Sequence, residues 1–244
     1  MTIDVFWLPG TGFSTGPDAI STTVGAALDG RFEFHWLPYP ASYGSPGLPY
    51  AESVAIGRQV LIDAIRATPN RAVIGGYSQG AGIAGGLAAE IGRGEHPDLD
   101  VMACALIADP SRPQGAGMPD WRTASGYGIS GERRTPGMRT YWAANDGDPI
   151  TALPPGNPLR SIADLSEYYS LSSPGDAMQW MESLLERALS QRWQRWWSIE
   201  NWQSWGGAAA YARGYLRDGR HGPDYINRGH AVHLAQVVNE AVIE

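Results

Sequence analysis

Cysteine is almost missing from this chain of 244 residues: Cys104 stands alone. No disulfide can therefore form within the chain, and the fold must stand on packing. Cys104 sits in the apolar run VMACALIAD, which reads as a buried, inert thiol rather than a nucleophile. Lysine is absent altogether, and all eighteen cations are arginine. They are outnumbered by twenty-five acids, for a net charge of −7, which argues against nucleic acid as the main partner. No apolar run approaches the 18 residues of a membrane-spanning helix. The opening stretch MTIDVFWLPG lacks a basic start and turns at Pro9-Gly10, so no export signal is expected. No internal repeat or low-complexity tract stands out.

What is present is an alternation. Short apolar runs at 3–8, 32–37, 72–76, 101–109 and 138–144 read as strands. Between and after them, 17–30, 50–67, 81–92 and 232–242 carry helical punctuation or spacing. This order predicts an α/β fold with a mostly parallel sheet covered on both faces, and a site at the carboxyl ends of its strands. One stretch breaks the pattern. Residues 158–218 show no strand signal and hold six of the ten tryptophans. They read as a helical insertion that divides the α/β body into 1–157 and 219–244. Its tryptophans suit either a small core or an apolar lid.

Two pentapeptides, GFSTG at 12–16 and GYSQG at 76–80, fit G-x-S-x-G, the turn that presents a nucleophilic serine. With 31 glycines in the chain, about 0.3 such matches arise by chance, so context must choose. AVIGGYSQGAG runs from a strand straight into the turn and out into a helix of small residues. In LPGTGFSTGPD, Pro9, Gly10, Thr11 and Gly12 already part the strand from Ser14, and Pro17 delays the helix. Ser78 is the expected nucleophile. Ser14 reads as a loop or capping residue, with Ser14 or Gly16 near the cap.

In hydrolases of this architecture the chain order is serine, acid, histidine. After Ser78, Asp146 and Asp148 in NDGDPIT follow a late strand, and both are candidates for the acid. Asp109, in ADPSRP, reads as a turn-former. His35 and His96 do not fit the order. His230 and His233 open the closing helix without ligand companions at metal spacing, so they read as solvated or capping. His221, in the Gly/Pro loop DGRHGPDY, is the expected base, with His230 behind it. No metal or cofactor is called for.

GGYSQGAG, NDGDPIT, the PGTG loop and the late histidine loop together resemble the cutinase-like serine esterases of actinobacteria, and more closely the lysin B enzymes of mycobacteriophages. The resemblance covers roughly 1–157 and 219–244. It implies an α/β-hydrolase fold and makes Asp148 the triad acid rather than Asp146. It also implies an oxyanion pocket formed by Thr11 and the N–H of Gln79. Cutinases close the acid loop with a disulfide. Ala144 and Thr151 stand where those cysteines would be, which fits a chain made without secretion. The implied substrate is a lipid ester of a mycobacterial-type envelope, the bond between mycolic acids and arabinogalactan, cut during phage lysis. The sequence does not fix the oligomeric state, and a monomer is favoured. A lipase, thioesterase or acyltransferase on the same scaffold is the alternative within enzymes. An envelope-binding module with a decayed triad is the alternative outside them.

Overall fold

The computed structural model of the chain describes residues 2–43, 47–157, 159 and 219–242. The insertion and lid expected over 158–218 therefore lie outside the described residues, apart from Leu159. Five parallel strands form one sheet: β1 (Ile3–Leu8), β2 (Phe32–Trp36), β3 (Arg71–Tyr77), β4 (Val101–Ile107) and β5 (Thr140–Ala143). Their spatial order is β2-β1-β3-β4-β5. The chain winds outward from β1 in one direction and from β3 in the other. The switch point thus falls between β1 and β3, where such sheets open a crevice.

Both faces of the sheet are covered, and the alternation along β1 shows it. Val5 and Trp7 pack with Val24, Ala105, Leu234 and Val238, on the side of α1 (Ala19–Ala27) and a closing helix, α5 (His230–Ala241). Phe6 and Leu8 point the other way, to Leu61, Ile65, Leu87 and Cys104. That side carries α2 (Tyr50–Ala67) and α3 (Gln79–Gly92). A side-chain period of two makes this two-faced burial possible in a parallel strand. Each leucine buried completely here contributes roughly 1.5–3 kcal/mol of apolar transfer. Gly75 in β3 is needed for the ring of Trp7, since a Cβ there would lie 2.6 Å from the indole. Burial also raises the Cys104 thiol well above its ordinary range, in keeping with an inert role.

Several expected details are corrected. The cap of α1 is neither Ser14 nor Gly16 but Asp18, whose carboxylate accepts from the Ser21 N–H at 2.7 Å and the Ser21 hydroxyl at 2.6 Å. Ser14 lies in an exposed bend before it. α3 begins at Gln79, directly after the elbow, rather than at residue 81. Its small residues serve a different neighbour as well as the sheet. A Cβ on Gly82 would meet Pro110 at 3.0 Å, one on Gly85 the Arg133 guanidinium, and one on Gly92 the Pro136 carbonyl. The slim helix therefore accepts the long segment between β4 and β5. A short helix, α4 (Asp224–Asn227), precedes α5 and carried too few residues to show a period.

Candidate active site

β3 ends at Tyr77 and α3 starts at Gln79, leaving Ser78 alone in the turn with φ 55° and ψ −116°. A non-glycine residue rarely holds that backbone, which costs on the order of 1–3 kcal/mol. Neighbouring contacts enforce it. A Cβ on Gly76 would sit 2.4 Å from the Gly80 backbone, and one on Gly80 would sit 2.1 Å from the Leu8 carbonyl oxygen. The glycines two before and two after the serine are thus demanded by backbone packing. The Ser78 N–H continues the ladder to the Ile107 carbonyl at 2.9 Å.

His221 reaches this serine from 143 residues away, with Nε2 2.8 Å from Ser78 Oγ. Its Nδ1 lies 3.0 Å from each oxygen of Asp148. Asp148 is fully buried just beyond β5, where Oδ1 also accepts from the Ile150 N–H at 2.9 Å. The structure therefore brings Ser78, His221 and Asp148 into one hydrogen-bonded series. Asp146 lies elsewhere. Its carboxylate accepts from the Ser125 N–H at 3.1 Å and pairs with Arg122 at 3.2 Å.

The histidine loop, for all its glycine and proline, is pinned on several sides. The Tyr77 hydroxyl donates to the His221 carbonyl, and Asn145 Nδ2 donates to the Arg220 carbonyl at 2.9 Å. Tyr225 donates to Asp148 Oδ2 at 2.7 Å. His230, expected to be solvated or capping, is buried. Its Nδ1 accepts from Trp121 Nε1 at 3.0 Å, and Gly229 caps the helix. Burial, then the nearby Arg228, lowers its pKa. His233 stacks on the Trp121 ring, with centroids 4.4 Å apart.

Thr11 and Gln79 lie on adjacent segments, because β1 pairs with β3 through Leu8 and Gly76. A Cβ on Gly10 would be 3.4 Å from Ser78 Cβ, so the loop carrying Thr11 leaves β1 beside the elbow. Thr11 is exposed. The Gln79 amide belongs to the first turn of α3, whose N–H groups find no carbonyl within the helix. The Gln79 side chain is committed elsewhere: Nε2 donates to the Ser42 carbonyl at 3.0 Å. The Tyr39 hydroxyl lies 2.8 Å from the Pro9 carbonyl and 3.0 Å from Gln79 Oε1, and so joins both segments. Burial pushes the Tyr39 phenol far above its ordinary range, so it stays a donor.

Arg112 is the other organiser, and the sequence carried no sign of it. Completely buried, it donates to the carbonyls of Thr151, Ala116, Ala124, Ser125 and Gly126 at 2.7–3.2 Å. It binds the segment after β4 to the loop that carries Asp148. Asp109 does order a turn, accepting from the Ser111 N–H at 3.0 Å, and it also pairs with Arg133 at 2.6 Å.

Among the described residues, one set of side chains has the donors to hold a metal: Asp4, Glu33 and His35, at the β2 edge of the sheet. Asp4 already accepts from Thr68, from Asn70 at 3.2 Å and meets His35 at 2.9 Å. Its contacts are those of a structural carboxylate. No described helix is long and apolar enough to cross a membrane.

The family model of the PE-PPE domain matches residues 33–129. No curated protein sequence matches the chain. Among solved structures, lysin B from mycobacteriophage D29 is similar at 20% identity, with 89% of this chain and 91% of that one covered and a TM-score of 0.57. An acetyl xylan esterase is similar at 20% identity over 75% and 97% of the two chains, with a TM-score of 0.44. A cutinase-like protein from Cryptococcus sp. is similar at 17% identity over 69% and 96%, with a TM-score of 0.45. The fold expected from the sequence, a parallel α/β-hydrolase sheet flanked by helices, is the fold found.

Proposed function

We propose that the chain is a serine esterase in which Ser78 attacks the carbonyl of an acyl ester. The observation that carries this reading is the series Ser78 Oγ, His221 Nε2 at 2.8 Å, and His221 Nδ1 at 3.0 Å from Asp148, built on a strained elbow. His221 takes the serine proton as the new C–O bond forms. Asp148 holds the imidazole in orientation and stabilises its charge. The amides of Thr11 and Gln79 stabilise the tetrahedral oxyanion, each donor being worth about 3 kcal/mol in such sites. His221 then returns the proton to the leaving alcohol, and water releases the acyl group by the same steps. Neither metal nor cofactor takes part in this scheme.

The finer reading is that the ester joins mycolic acids to arabinogalactan in a mycobacterial-type envelope. The motifs GGYSQGAG and NDGDPIT, with the PGTG loop and the late histidine, support it. Under this reading the partner is a lipid-rich wall, met by a monomer.

Hydrolysis of p-nitrophenyl butyrate tests the chemistry. Ser78→Ala abolishes turnover and Ser14→Ala retains most of it. Asp148→Asn loses far more rate than Asp146→Asn. Full activity in Ser78→Ala refutes the assignment. Release of free mycolic acid from purified wall material tests the substrate. Transfer of the acyl group to an added alcohol, without release, identifies an acyltransferase instead.

A further inference from the structure

Asp148 has a second side-chain donor besides the histidine. Tyr225 is completely buried, and its hydroxyl donates to Asp148 Oδ2 at 2.7 Å while accepting the Asn145 N–H at 3.2 Å. The phenol thus has a fixed direction: the backbone amide fills an acceptor site and the carboxylate takes the proton. Tyr225 follows His221 by four residues across the turn that leads into α4, which sets both on one side of the chain. Imidazole and phenol therefore converge on one carboxylate, with Oδ1 closed by the Ile150 N–H. Burial, then the charge of Asp148, drives the Tyr225 pKa well above its ordinary value, so the phenol remains a donor across the working range.

We propose that Tyr225 is a positioning residue, holding the Asp148 carboxylate in the plane and charge state that orient His221 toward Ser78. The proposal rests on the esterase reading above. A hydrogen bond to an ionised carboxylate is stronger than a neutral one and stabilises the charged form. Without it, the carboxylate is free to turn and the imidazole loses its fixed aim at Ser78. Since Tyr225 is completely buried and does not meet substrate, its loss acts on turnover, not on binding.

The test is Tyr225→Phe, which keeps the ring and its packing while deleting the hydroxyl. With p-nitrophenyl butyrate, kcat falls about tenfold, equivalent to about 1.4 kcal/mol, and KM stays within about twofold. The low-field NMR resonance of the proton on His221 Nδ1 shifts in the variant. An unchanged kcat and an unshifted resonance overturn the proposal, even if the variant melts at a lower temperature. Ser78→Ala, run alongside, separates the two readings. If hydrolysis does not depend on Ser78, the esterase reading fails, and the His221 resonance then decides alone. A shift on Tyr225→Phe sustains the positioning role, and no shift refutes it.

Discussion

The two sides of the candidate site are built in different ways. On the serine side, position comes from backbone. Ser78 is set by a positive φ, by glycines that let β1, β3 and α3 touch, and by a helix that starts at once. On the side of Asp148 and His221, position comes from side chains that cross the chain. Tyr77, Asn145, Tyr225 and Arg112 each reach a partner between 4 and 144 residues away. The difference has a physical root. A nucleophile must stand at one point on one turn, which local sterics can fix. An acid and a base arrive from separate loops, and only long-range hydrogen bonds can bring loops into register.

Substitutions can break this contrast or sharpen it. Gly80→Ala has the largest expected effect. Its Cβ would overlap the Leu8 carbonyl, and neither backbone can yield, so the loss of stability is about 3 kcal/mol or more. Urea unfolding measures it, and a variant as stable as the parent would show that the elbow is not backbone-built. Next comes Arg112→Met, which strands several carbonyls and frees the Asp148 loop. A loss of about 3 kcal/mol is expected by thermal denaturation, with a fall in turnover beyond it in whatever protein remains folded.

Tyr39→Phe is milder. It removes the hydroxyl shared by Pro9 and Gln79, and so loosens the Thr11 and Gln79 segments rather than Ser78 itself. The expected cost is about 1 kcal/mol in stability, with a several-fold lower kcat for p-nitrophenyl butyrate. The smallest effect concerns pH. The unfolded chain binds a proton at His230 more readily than the folded one, because burial and then Arg228 disfavour the charged ring, against help from Asp224 and Asp146, with His233 adding the least. Stability from this group is present above the ordinary histidine pKa and is lost as pH falls through the lowered folded value. Melting curves from pH 7 to pH 5 show the decline, and His230→Gln flattens part of it.

The same contrast explains what could be read from residues alone. β1 at 3–8 and α2 at 50–67 have the bounds that their apolar pattern predicts. Ser78 could be placed because every feature that marks its turn lies within a few residues. Asp148 and Asp146 could not be separated by local pattern, since both follow the same strand; the resemblance favoured Asp148, and the structure sets that carboxylate against His221. Tyr225 left one faint trace, its spacing of four from His221. Tyr39 and Arg112 left none, because nothing near them in sequence says which distant carbonyls they will meet. His230 misled because a histidine at a helix start resembles a cap, whereas its partner, Trp121, stands 109 residues earlier.

The docking of α5 on α1 also orders events in time. Asn239 Oδ1 accepts the Asp29 N–H at 3.1 Å, and its amide donates to the Ala27 carbonyl at 3.1 Å, so the end of the described fold closes on its beginning. The loop with His221 comes immediately before that closure. In a growing chain, every residue of the sheet and of the elbow is therefore made before His221 and α5.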